Sequence, residues 1–182
     1  MKPTFAAHDL TFEEMISEAA IQERVREMGA QLRAVYQDKN PLFLCVLNGA
    51  FIFAADLVRA FEQPCEMDFV RLASYDGLAS TGKVRMTMDT KNEVQGRHVI
   101  IVEDIVDTGT TLAAFREELQ RFAPASVAIA TLLMKPEALR HELEVAYVGF
   151  DIPNKFVIGC GLDYNEQGRH LRGIYQLKEK EK

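Results

Sequence analysis

Apolar residues recur along the chain in two alternating rhythms. Ile21, Val25, Met28, Leu32 and Val35 follow one another at spacings of four and three, the signature of one face of an amphipathic helix. Its start falls at Thr11, with Glu14 three residues on, or at Ser17; both fit a helix N-terminus. Leu42 to Leu47 is then apolar at every position, which suits a strand, and Asn48-Gly49 ends it. A helical pattern covers Phe51 to Phe61. Further strands are predicted at Asp68 to Ser74, Val99 to Val102 and Ser126 to Met134, with shorter ones at Ala146 to Phe150 and Phe156 to Cys160. Between the third and fourth strands, Thr111 to Phe122 reads as a helix.

Strands and helices that alternate, with strands apolar on both faces, predict an α/β fold: a mostly parallel sheet flanked by helices. In such sheets ligands bind beyond the carboxyl ends of the strands. The turns after Leu47 and Val102 lie at such ends, and the second of them is acidic. The 182 residues suit a single domain.

Composition narrows the function classes. With 21 Lys and Arg against 27 Asp and Glu, the net charge is −6, which disfavours nucleic acid as a partner but leaves small anionic ligands open. Leu42 to Val58, the most apolar stretch, is interrupted by Asn48-Gly49 and Asp56, so no membrane span is expected. Cys45, Cys65 and Cys160 are scattered, and the N-terminal stretch lacks a basic region followed by an apolar core. A reduced, cytoplasmic protein is expected.

The chemistry concentrates in Val99-Ile100-Ile101-Val102-Glu103-Asp104-Ile105-Val106-Asp107-Thr108-Gly109-Thr110-Thr111. A buried strand delivers two adjacent carboxylates, whose side chains point to opposite faces and need not share one ligand. A turn of small residues and threonines then opens a helix. Its free N–H groups and hydroxyls suit a phosphate, while the acids suit Mg²⁺ or the hydroxyls of a ribose. The plainer role for Asp107 or Thr108 is a helix cap. Neither GxxxxGK[ST] nor GxGxxG occurs, which removes support from common triphosphatase and dehydrogenase readings.

This stretch resembles the phosphoribosyl-pyrophosphate signature of type I phosphoribosyltransferases. The likeness runs from about Leu42 to Arg169, in the order seen in hypoxanthine-guanine phosphoribosyltransferases. Its other segments are Val46-Leu47-Asn48-Gly49-Ala50, Ser74-Tyr75, Leu132-Leu133-Met134-Lys135, Val148 to Val157, and Leu162-Asp163-Tyr164-Asn165-Glu166.

The resemblance implies a type I phosphoribosyltransferase fold over 1–182, with a small hood subdomain formed by terminal segments. It implies transfer of a phosphoribosyl group from phosphoribosyl pyrophosphate to hypoxanthine or guanine, giving IMP or GMP and pyrophosphate in purine salvage. Xanthine stays open as a further base. Mg²⁺ is the implied cofactor, and a homodimer or homotetramer the implied assembly.

By the same resemblance, Asp107, Thr108, Gly109, Thr110 and Thr111 hold the 5′-phosphate, and Asp107 is the general acid/base at purine N7. Glu103 and Asp104 serve the ribose and metal, with Asp163 as a further metal contact. Lys135 donates to the exocyclic O6, Phe156 stacks on the purine, and Val157 offers its carbonyl. Leu47, Asn48 and Gly49 form a pyrophosphate loop, where members of that family often have a cis peptide that the sequence does not reveal, and Arg169 clamps the pyrophosphate. Ser74 and Tyr75 open a lid. Asn48 stands where many members of that family carry lysine, so no charge is on offer at that position.

Overall fold

The computed structural model describes residues 2–72 and 94–179, and Ser74, Tyr75 and the rest of the expected lid lie outside them. The elements in chain order are β1 (Thr4–Ala7), β2 (Leu10–Ile16), α1 (Glu18–Tyr36), β3 (Leu42–Leu47), α2 (Phe51–Phe61), β4 (Glu66–Arg71), β5 (His98–Val106), α3 (Thr110–Gln120), β6 (Ser126–Met134), a short 3₁₀ turn (Pro136–Ala138), β7 (Tyr147–Asp151), β8 (Val157–Ile158) and β9 (Ile174–Leu177).

Five strands form a parallel sheet in the order β4-β3-β5-β6-β7. Leu42–Leu47 of β3 and Val99–Val102 of β5 are apolar at every position because both faces of the sheet are covered there. Phe43 and Cys45 of β3, with Ile100 and Val102 of β5, face α1 and α2. Leu42, Leu44, Val99 and Ile101 point the other way, toward Leu112, Phe115 and Leu119 of α3. Arg24 of α1 donates from Nε to the Gly149 carbonyl (2.9 Å) and from Nη2 to that of Val148 (2.6 Å), taking up carbonyls of the edge strand β7.

The start of α1 falls at Ser17, whose hydroxyl accepts from the Ala20 N–H at 3.3 Å. Thr11 and Glu14 belong to β2 instead. The apolar stripe of α1 also ends differently from its periodicity. Val35 is 45% exposed, and Tyr36 turns inward to meet the His98 ring edge-on at 5.9 Å. Beta5 runs beyond Val102 to Val106, so the acids lie within it. Beta4 begins at Glu66, ahead of the expected Asp68, and ends at Arg71.

A second sheet, β1-β2-β9-β8, is antiparallel and joins the two ends of the described chain. Ala7, Phe12 and Ile158 form its own small core. No helix among the described residues is long and apolar enough to cross a membrane.

Candidate active site

The parallel sheet splits at its carboxyl end. Beta5 pairs with β3 only as far as Val102, but with β6 as far as Val106. The gap left where β3 turns away opens a cleft of about 330 Å³, and the second sheet supplies its far wall.

Asp107 and Lys135 stand one residue beyond the paired ends of β5 and β6, where Val106 faces Met134 in register. The Lys135 N–H extends the ladder by donating to the Val106 carbonyl at 2.9 Å. The two side chains then meet: Lys135 Nζ donates to Asp107 Oδ2 at 2.8 Å. Lys135 is 7% exposed, so it is no solvated surface lysine, and its buried charge is paired as burial requires.

Asp107 does not cap α3. The cap residue is Gly109, with φ of +74°, and no side chain bonds to it. Glycine takes that left-handed conformation without steric cost. The first intrahelical bond runs from the Ala113 N–H to the Gly109 carbonyl, which leaves the N–H groups of Thr111 and Leu112 without acceptors in the helix. They border a smaller pocket of about 150 Å³, lined by the Asp107 to Thr111 turn and by Glu103. An anion fits such a pocket.

Strand alternation separates the two adjacent acids as expected. Asp104 lines the cleft, and Glu103 lines the smaller pocket. Burial, and then the neighbouring Asp104 charge, push the Glu103 carboxyl well above its ordinary range. Burial also raises that of Asp104, against the opposing pull of hydrogen bonds from Glu103 and the backbone and of the Arg169 charge. The 47–49 loop approaches Asp104 so closely that a Cβ on Gly49 would overlap Asp104 Oδ2, so the position requires glycine. The Leu47–Asn48 peptide is cis. Asn48 and Gly49 line the cleft, whereas Leu47 packs against the core beneath it.

Phe156 lines the same cleft as Lys135 and is 45% exposed, and therefore no core residue. Val157 follows it on the edge strand β8. The Leu177 N–H donates to the Phe156 carbonyl at 2.9 Å, so alternation along the antiparallel ladder turns the Val157 carbonyl away from β9. Asp163 and Arg169 close the end nearest Asn48. Arg169 Nη2 lies 2.8 Å from Asp163 Oδ1 and 3.1 Å from Glu166 Oε2, and its Nη1 donates to the Gly161 carbonyl at 2.9 Å.

The structure thus gathers Asn48, Gly49, Asp104, Asp107, Lys135, Phe156, Val157, Asp163 and Arg169 around one cleft. Two further lining residues, Ile105 and Leu162, escaped the sequence reading. Both are apolar residues within the acidic strand and the Leu162 to Glu166 segment, and nothing in their spacing marks them as pocket-forming. Asp104 and Asp163 line the cleft and Glu103 the smaller pocket, and among the described residues no group of three His, Cys, Asp or Glu side chains could hold a metal ion unaided.

Comparison with known proteins agrees with this geometry. Residues 14–165 match the phosphoribosyl transferase domain family. A hypoxanthine-guanine phosphoribosyltransferase of Streptococcus pneumoniae is 45% identical over 166 residues, covering 91% of this chain and 92% of that protein. A hypoxanthine-guanine-xanthine phosphoribosyltransferase of Tritrichomonas foetus is 40% identical, with 87% of each chain covered. The crystal structure of a hypoxanthine phosphoribosyltransferase from Staphylococcus aureus superposes with a TM-score of 0.86 at 40% identity, covering 91% of both chains. With a matching domain model, matching fold and relatives that align almost end to end, the chain belongs to the type I phosphoribosyltransferase family, among its hypoxanthine-guanine members.

Proposed function

We propose that this protein transfers the phosphoribosyl group of phosphoribosyl pyrophosphate to N9 of hypoxanthine or guanine, releasing pyrophosphate. The observation that carries the base class is the 2.8 Å pair between Lys135 Nζ and Asp107 Oδ2 in the cleft that Phe156 also lines. A 6-oxopurine protonated at N7 presents an acceptor, O6, beside a donor. The ammonium complements the first and the carboxylate the second. Adenine offers an amino donor in place of O6, which would leave the buried ammonium facing a donor.

Each residue then has a role its position supports. Phe156 stacks on the ring with its exposed face. The outward Val157 carbonyl accepts from a 2-amino group, which favours guanine without excluding hypoxanthine. The Asp107 to Thr111 turn, Thr108 and Gly109 included, holds the 5′-phosphate on free helix N–H groups and hydroxyls. Arg169 and the Asn48-Gly49 loop receive the pyrophosphate, and Arg169 exchanges a carboxylate for phosphate oxygens when it does. As N9 bonds to the anomeric carbon and pyrophosphate departs, the N7 proton passes to Asp107. The negative field of Glu103 and Asp104 favours the positive charge that gathers on the sugar.

Mg²⁺ fits this donor set. It is commonly held by one or two carboxylates together with substrate oxygens and water, so a closed protein cage is not required. Asp104 and Asp163 on the cleft are the residues that would hold it, with Glu103 contributing from the adjoining pocket. When bound, it neutralises charge on the leaving pyrophosphate. The proposal also covers one domain over 1–182 with the second sheet as its hood, a cytoplasmic setting in purine salvage, and a homodimer or homotetramer. Phe51 and Phe69, each 43% exposed, give apolar surface for a second copy to cover.

The test follows pyrophosphate release with phosphoribosyl pyrophosphate and Mg²⁺, offering hypoxanthine, guanine, xanthine and adenine separately. Release with hypoxanthine or guanine, little with adenine, and loss on chelation are expected. Folded protein that binds phosphoribosyl pyrophosphate but releases nothing with hypoxanthine or guanine would refute the proposal.

A further inference from the structure

Tyr164 packs against the core of the small sheet and does not itself line the cleft. Tyr164 stands behind Phe156, with ring centroids 5.8 Å apart and planes at 83°, an edge-on pair. Phe12 of β2 tilts against both rings, at 6.0 Å from Phe156 and 6.2 Å from Tyr164. The Tyr164 hydroxyl donates to Asp9 Oδ1 at 3.0 Å, in the turn between β1 and β2. His8, in the same turn, places Nε2 at 3.1 Å from the Asn165 carbonyl and its ring edge-on to Tyr164 at 5.7 Å.

Tyr164 directly follows Asp163, which holds Arg169. The turn after it is conformationally costly. Asn165 has φ of +47° and Glu166 of +66°, left-handed positions that asparagine tolerates and glutamate resists, and reciprocal backbone bonds between Tyr164 and Gln167 at 2.8 and 3.0 Å close the turn. Asp163 Oδ2 accepts from the Glu166 N–H at 2.8 Å within the turn. The bonds to Asp9 and His8 supply support from outside it.

We propose that Tyr164 is a positioning residue that couples the two ends of the cleft: its ring edge sets the plane of Phe156, and its hydroxyl, anchored by Asp9, holds the turn that presents Asp163 and Arg169. This rests on the reading that Phe156 stacks on the base and that Asp163 and Arg169 serve the pyrophosphate end. Phe156 lines the cleft and is 45% exposed, so the packing that orients it includes the rings of Phe12 and Tyr164. An edge-on neighbour favours one ring plane over others.

The experiment compares Y164F, Y164L and D9A in the full chain, with initial rates measured against each substrate in turn and folding checked by circular dichroism. Y164F and D9A each remove one hydrogen bond and should raise the KM for phosphoribosyl pyrophosphate about threefold to fivefold, leaving the base KM within about twofold. Y164L also removes the ring edge and should raise the base KM up to about tenfold. Phenylalanine therefore rescues base binding but not phosphoribosyl pyrophosphate binding, a split that general loosening of the fold does not produce. An unchanged phosphoribosyl pyrophosphate KM in both Y164F and D9A overturns the hydroxyl role. A base KM in Y164L no higher than in Y164F overturns the ring role. If Y164L fails to fold, a base KM in Y164F that rises as far as that for phosphoribosyl pyrophosphate overturns it instead. An unaltered chain without turnover would remove the underlying reading, a result none of the variants mimics.

Discussion

The two sheets carry the cleft between them but are built in opposite ways. In the parallel sheet, β3, β5 and β6 bury both faces, and every strand pair is separated in sequence by a helix or a comparable crossover. In the small sheet, β2 near one terminus pairs with β9 near the other, and its buried core is Ala7, Phe12 and Ile158. The first supplies the fixed chemistry at strand ends, Asp104, Asp107 and Lys135. The second supplies Phe156 and Val157 on or beside a two-residue edge strand. On the proposed reading, proton transfer belongs to the parallel sheet, base stacking to the small sheet, and the metal is shared between Asp104 on the first and Asp163 beyond β8.

The largest effect should come from the parallel sheet. Asp107→Asn keeps the size and the acceptor oxygen beside Lys135 but loses the base. The expected result is a folded protein that binds both substrates and turns over about 10²- to 10⁴-fold more slowly. Unchanged turnover would end the assignment of Asp107 as proton acceptor. Next, Phe43→Ala empties a fully buried site where the ring meets Phe61 edge-on at 5.4 Å. It should cost about 3–5 kcal/mol in denaturant unfolding. A much smaller cost would mean that the parallel sheet is not the stability centre.

Hydrogen exchange tests the contrast itself. Amides of β1, β2 and β9 should exchange through local opening, well before those of β3 and β5, which exchange only on global unfolding. Equal protection of the two sheets would erase the distinction.

The smallest effect is read from the thiols. Burial raises the Cys45 and Cys160 thiols from 9.0 to about 12, with nearby acid charges adding to the rise. A folded value above the unfolded one means that their contribution to stability is complete below pH 9.0 and is lost as pH climbs toward about 12. At pH 8, a disulfide reagent should therefore modify the partly exposed Cys65 first. Cys160, beyond β8, should follow, and Cys45 inside β3 should react last. Cys45 reacting ahead of Cys160 would reverse the assigned order of opening.

The same division explains what could be read along the chain. Leu42–Leu47, Phe51–Phe61 and Ser126–Met134 form where the apolar pattern places them, because local pattern and burial agree there. Beta2 escaped because Thr11 and Glu14 also spell a helix start, and its partner Ile174–Leu177 lies at the far end of the chain. The acidic turn and Lys135 stood out through the family motif. Their contact with each other depends on the register of β5 against β6, which no single segment contains. Tyr164 was visible as part of a motif, but its function as a prop depends on Asp9, in a hairpin that local pattern did not reveal.

That register has a consequence for how such chains vary over evolutionary time. Because Asp107 and Lys135 meet through the pairing of Val106 with Met134, α3 and the connection at 121–125 can lengthen or shorten without parting them. One residue inserted between Ser126 and Met134 would instead slide the strand by a single step and send the lysine to the opposite face. Insertions and deletions should therefore accumulate in the connections and be purged from the two strands, even at positions that never touch a substrate.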